Sequence, residues 1–207
     1  MDIGSIISFL GTAILLTLIP GPDNLFVLAH SISNGKSSGI STTFGLCTGL
    51  LIHITAATLG ISAIIYQSAL AFAIVKYAGA AYLLYLAYRA FTANDTTLNV
   101  EKKGSLSFKS SYKKGVIMNL LNPKVSLFFL AFLPQFINQS YGNITYQMLM
   151  YGIIFLIQTL VIFTVISIFS EKVGYLLRKN PIISRKINII QGSLFTLIGL
   201  KIAFSQK

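Results

Sequence analysis

The run TYQMLMYGIIFLIQTLVIFTVISIFS, residues 145 to 170, contains no charged side chain. In hydrocarbon a lone segment can satisfy its backbone N–H and C=O groups only by coiling into a helix. About 20 residues suffice to cross a bilayer core. Further apolar runs cover residues 4 to 30, 39 to 65, 69 to 91, 114 to 137 and 186 to 204. The sequence therefore predicts an all-α membrane protein of six transmembrane helices. With 54% hydrophobic and only 10% charged residues, little chain is left for a water-soluble domain.

The net charge of +11 over 207 residues raises the question of a nucleic-acid partner. The positions of the basic residues answer it. Lys36, Arg89, Lys102, Lys103, Lys109, Lys113, Lys114, Lys172, Arg178, Lys179, Arg185 and Lys186 fall in or beside alternate loops. Lys76, Lys201 and Lys207 fall on the other face. This asymmetry is that of the positive-inside rule, and it predicts basic loops in the cytoplasm and both termini outside. No nucleic-acid partner is expected; the lipid bilayer is. The single cysteine, Cys47, excludes an internal disulfide and any cysteine metal cluster. MDIGSIISFLG has no Lys or Arg ahead of its apolar core, so the first span is expected to be retained.

One long hydrophilic segment divides the chain into a first three-helix repeat (1–91), a basic cytoplasmic linker (92–113) and a second three-helix repeat (114–207). The halves correspond weakly, Gly79 with Gly192 and Tyr82 with Phe195, and better at GPD (21 to 23) and NPK (122 to 124). An odd number of spans per repeat makes the second enter the membrane from the opposite side, giving inverted repeats. YQS (66 to 68) is expected to form a tight turn between the second and third spans.

The first and fourth spans are predicted to break at their proline motifs. Pro20 and Pro22 each remove a backbone donor, clash with the carbonyl four residues back and push the preceding residue out of the helical region. Carbonyls near Leu16 and Leu18 should be freed, and such groups cannot face lipid. With Gly21 as cap and Pro22 at the first helical position, Asp23 and Asn24 stand at the positive end of a half-helix. Asn122 caps the second break, Pro123 fills the first helical position, and Lys124 follows. A charge near the bilayer centre costs about 2.5 to 3.5 kcal/mol on insertion scales, so Asp23 and Lys124 are expected to meet. The site fits a zwitterion: ammonium toward Asp23 and the freed carbonyls, carboxylate toward Lys124, with Asn119 and Asn122 offering hydrogen bonds. Two plainer readings stand beside this one, an ion pair that fixes helix register and a Lys124 that snorkels to the interface.

In the second span Gly45, Gly49, His53, Ala57 and Gly60 share a face suited to close helix packing. His53 is read either as a proton carrier or as a hydrogen-bonded core histidine. Tyr77, Tyr82, Tyr85 and Tyr88 are read as a mixture of pore lining and interfacial belt.

The order PGPDNLFVL, GLCTGLLIHITAATLG, VKYAGAAYLLYLAYRAF and NLLNPKVSLFFLAFLPQFI resembles the lysine-exporter (LysE/RhtB-type) superfamily of bacterial amino-acid exporters, homoserine/threonine efflux branch. Pro20, Gly21 and Pro22 match its first motif, with Asp23 where relatives often carry Asn or Ala; Asn122, Pro123 and Lys124 match its second. The resemblance implies a secondary active exporter of amino acids or close derivatives in the bacterial inner membrane, driven by the proton gradient without a cofactor, and not an enzyme. Asp23 and His53 are the proton-relay candidates. The alternative is a cation or metal exporter on a related fold; Asp23 and His53 are too few ligands for one, and no metal site is expected. A homo-oligomer is compatible with the sequence.

Overall fold

A computed structural model of the chain describes residues 2–19, 21–67, 69–92, 104, 106–179 and 181–204. Among these every regular element is helical. Pro20, Ser68, most of the linker and Lys207 lie outside the described residues.

α1 (Ile3–Leu18) begins at Asp2, whose carboxylate accepts from the Ser5 N–H at 3.1 Å. It ends at Ile19, held in an extended conformation ahead of Pro20 as a pre-proline residue should be. Gly21 is extended too, and α2 (Pro22–Asn34) then starts with proline at its first position. The axis turns by 53° between α1 and α2. α3 (Lys36–Gln67) and α4 (Ala69–Thr92) follow. The second break repeats the first: α5 (Phe108–Leu120), an Asn122 cap, α6 (Pro123–Leu127), and a turn of 52°. Beyond α6 the chain widens into a π turn (Phe128–Phe132) and tightens into a 3₁₀ turn (Leu133–Phe136) containing Pro134. α7 (Ile144–Ile168), α8 (Ser170–Lys179) and α9 (Pro181–Phe204) complete the chain.

Two stretches, Lys36–Gly60 and Ile144–Ile168, are each long and apolar enough to cross a membrane, and each bent pair adds one if it counts as a single span. The boundaries differ from those expected where polar residues cap or extend a helix. α5 starts at Phe108, inside the expected 92–113 linker, because Ser107 caps it and the Ser41 hydroxyl donates to the Phe108 carbonyl at 2.6 Å. α2 runs to Asn34, whose amide donates to the Gly104 carbonyl at 2.7 Å. α8 occupies what reads as a loop, its polar composition hiding it from a hydropathy scan.

Packing differs at the two ends of the bundle. Around Phe9 the core is aromatic: ring centroids lie 4.7 Å apart for Phe9 and Tyr151, 5.2 Å for Phe9 and Phe136, and 4.7 Å for Phe128 and Phe155. Around α2, α3 and α5 it is small and hydroxylic, with Ser31, Ser41, Thr42, Ser111 and Ser167 buried. There a Cβ on Gly45 would strike the Tyr112 carbonyl and one on Gly115 the Thr42 carbonyl, so α3 and α5 meet backbone to backbone. The small-residue face of α3 stops at Ala57, since nothing lies within 4 Å of a Cβ at Gly60. Outside, Ile153, Ile157, Val161, Val165 and Ile168 form an exposed aliphatic stripe on α7. Tyr77, Tyr85 and Tyr88 are likewise exposed; Tyr82 is half-buried.

Candidate functional site at the paired helix breaks

Each break liberates a carbonyl, and the other half of the chain takes it up. Pro20 has no N–H to offer the Leu16 carbonyl four residues earlier. The Lys124 ammonium donates to that carbonyl instead, at 3.2 Å. Pro123 likewise offers nothing to the Asn119 carbonyl, which accepts from the His53 Nε2–H at 3.1 Å and from the Asn122 N–H at 2.9 Å. The first gap is bridged within its own chain segment, where the Asn24 amide donates to the Thr17 carbonyl. At the second, the Asn122 carboxamide accepts from the Lys124 N–H at 3.0 Å.

Asp23, Asn24, Asn119 and Asn122 are all buried, and with Gly21 and Lys124 they line one cavity of about 590 Å³, its open mouth included. Its apolar walls come from Leu50, Leu83, Phe128, Phe155, Phe163 and Phe195. The Asn119 amide donates to Asp23 Oδ2 at 3.0 Å, while Asp23 Oδ1 and Asn119 Oδ1 have no hydrogen-bond partner among the described residues. A buried oxygen without a donor costs about 1 to 3 kcal/mol, so two of them at one cavity make it a strong acceptor for a donor-rich group. Lys124 stands across from them with its ammonium 5.3 Å from the centre of the Phe195 ring.

Asp23 and Lys124 line the same cavity, and no hydrogen bond joins them. Lys124 is spent on the Leu16 carbonyl and an aromatic face, Asp23 on an amide. No contact short enough for an ion pair joins the two side chains, and the Lys124 ammonium rests between the Leu16 carbonyl and the Phe195 ring. His53 sits behind the wall, half-buried, with the Ser126 hydroxyl 3.5 Å from its Nδ1. Its hydrogen bond to the site is the one to the Asn119 carbonyl. A Cβ on Gly21 would come within 3.1 Å of Lys124 Nζ, so the missing side chain is what admits the ammonium. Pro22 and Pro123 open α2 and α6; Pro20 lies outside the described residues.

Sequence reasoning missed Thr17, Thr159 and Phe195, which also line the cavity. The charge-free run 145 to 170 holds two glutamines, Gln147 and Gln158, and the second offered a signal there. Among the described residues no group of three His, Cys, Asp or Glu side chains is placed to hold a metal ion.

Two broken helices that meet at a buried, charged cavity define a membrane translocator in outline, and comparison with known proteins gives the family. Residues 14–206 match the family model described as LysE type translocator, and the chain belongs to that family. It is 33% identical over 201 residues to the homoserine/homoserine lactone efflux protein of Salmonella typhimurium, covering 95% of this chain and 94% of that one. An uncharacterized membrane protein of Vibrio cholerae is 31% identical over 204 residues, 98% of each chain. The membrane protein YrhP of Bacillus subtilis is 33% identical over 154 residues, 70% of this chain and 73% of that one. No solved structure matches the chain.

Proposed function

We propose that the chain is a secondary, proton-coupled exporter of amino acids or close derivatives across the bacterial cytoplasmic membrane, working by alternating access. The observation that carries this reading is the pair of buried oxygens, Asp23 Oδ1 and Asn119 Oδ1, that find no donor among the described residues, in one cavity with Lys124. An ammonium group brings three donors to the first two, and a carboxylate suits the third. The Salmonella relative is a homoserine/homoserine lactone efflux protein, which supports small amino compounds as cargo.

The same carboxylate accounts for coupling. Asp23 holds either the amine or a proton, so the carrier returns with a proton where it left with substrate. His53, bonded to the Asn119 carbonyl, is the second relay group. No cofactor enters this scheme.

Six spans follow when α4 and α9 are counted as the third and sixth. The inverted repeat is supported by the matching bends of 53° and 52° and by the helix pairing. α3 packs on α7 and α4 on α9, while α1 on α7 corresponds to α5 on α3. The halves rock about the breaks. The hydroxylic end with the basic loops faces the cytoplasm, and the aromatic end with both termini faces out.

The test uses purified protein in proteoliposomes, following efflux of homoserine and threonine against an imposed pH gradient. Wild type should respond to the gradient. Asp23→Asn should lose the response, and Lys124→Ala should slow efflux by about 10- to 100-fold, the worth of a charge-assisted hydrogen bond. Flux independent of the gradient in wild type, or unaltered in both variants, would refute the reading.

A further inference from the structure

Hydroxyls inside these helices commonly turn back onto the carbonyl four residues earlier, as Ser31, Ser38, Thr42, Thr43 and Ser167 do. Thr17 on α1 and Thr159 on α7 do not. Each instead accepts a hydrogen bond from the Gln158 amide, at 2.8 Å in both cases. Both threonines line the cavity at the breaks; Gln158 stands behind them, buried.

The orientation of that amide is decided by a third neighbour. The Phe155 carbonyl lies 3.0 Å from Nε2, and a carbonyl can only accept, so the atom facing it is the nitrogen. Gln158 Oε1 is left without a partner among the described residues. The amide nitrogen carries two hydrogens: one goes to the Phe155 carbonyl, and the other is shared between the two threonine oxygens, each 2.8 Å away. Each threonine oxygen is thereby an acceptor, and its hydroxyl hydrogen, uncommitted to the helix, is left to be donated into the cavity.

We propose that Gln158 is a positioning residue that presents the Thr17 and Thr159 hydroxyls as a pair of donors, and that this pair holds an oxygen of the substrate's side chain. This rests on the proposed export function and adds a third point of attachment to the amine and carboxylate points at Asp23 and Lys124. Three points distinguish side chains of equal size by whether they accept a hydrogen bond. The node also ties α1, just before its break, to α7, so occupancy at the third point is felt at the bend.

Threonine and valine differ by a hydroxyl in place of a methyl group, so their efflux ratio reads the third point directly. Proteoliposomes loaded with equal amounts of the two, each separately labelled, should release threonine about tenfold faster, the worth of one good hydrogen bond. Thr17→Val and Thr159→Val, which preserve shape, should bring the ratio toward one, as should Gln158→Leu. Thr17→Ser and Thr159→Ser should restore it. Melting temperature in detergent identifies any variant that misfolds, and the serine variants carry the test if a valine variant does. Efflux with a ratio unchanged in Thr17→Val, Thr159→Val and Gln158→Leu overturns this inference and leaves the export reading intact. Failure of wild type to move either amino acid overturns both.

Discussion

Glycine is where single residues matter most at this site. A Cβ on Gly49 would lie 2.8 Å from the Asn119 Cβ and 2.9 Å from its Oδ1, too close for any real contact. Gly49→Ala should push Asn119 off Asp23 and lower efflux; the Asn119 Oδ1 can swing away, but its Cβ is fixed to the backbone, so α5 must also shift slightly and some stability is lost. Efflux rate and melting temperature measured together test this: the first should fall several-fold, the second by a few degrees. Gly45→Ala is the harsher case. Its Cβ meets the Tyr112 carbonyl, backbone that cannot turn aside, and overpacking of that kind costs about 1 to 3 kcal/mol. Gly45→Ala should therefore lower the melting temperature in detergent clearly more than Gly49→Ala does.

The two breaks are the elements on which the site depends, and each is made by proline together with a cap. Asn122 both caps α6 and lines the cavity, its carboxamide accepting from the Lys124 N–H. Removing such a cap costs about 1 kcal/mol, and here it also frees the residue that carries the ammonium. Asn122→Ala should weaken substrate affinity more than Asn122→Ser, which keeps a capping oxygen; a rise in KM for efflux with the alanine variant alone is the expected result. Beyond α6 the π turn Phe128–Phe132 widens the helix where Phe128 lines the cavity and Ala131 meets Gly79. Single-turn π bulges recur at functional sites. Phe128 on this turn packs tilted against Phe9 and Phe155, and Phe136, just past Pro134, against Tyr151.

For the molecule as a whole, the sole cysteine makes topology testable. Cys47 is buried, so a Cys47→Ala chain offers a clean background for single cysteines. Introduced at Lys36, a cysteine should react with a membrane-impermeant maleimide from the cytoplasmic side only. At Lys201, whose ammonium lies 5.9 Å from the Phe136 ring centre at the aromatic end, it should react from the outside only. Labelling of both from one side would overturn the six-span orientation. What the sequence by itself determined is the class and the location of the breaks: apolar length dictates membrane helices, and proline chemistry dictates where they cannot continue, both being properties of local chain. Asp23, Asn119, Asn122 and Lys124 were legible for that reason. The tertiary structure alone decided the partners. Lys124 bonds the Leu16 carbonyl rather than Asp23, His53 retires behind Asn119, and Gln158 gathers Thr17 and Thr159, because hydrogen-bond geometry between residues as many as 141 positions apart is set by how helices pack and leaves no periodic trace along the chain.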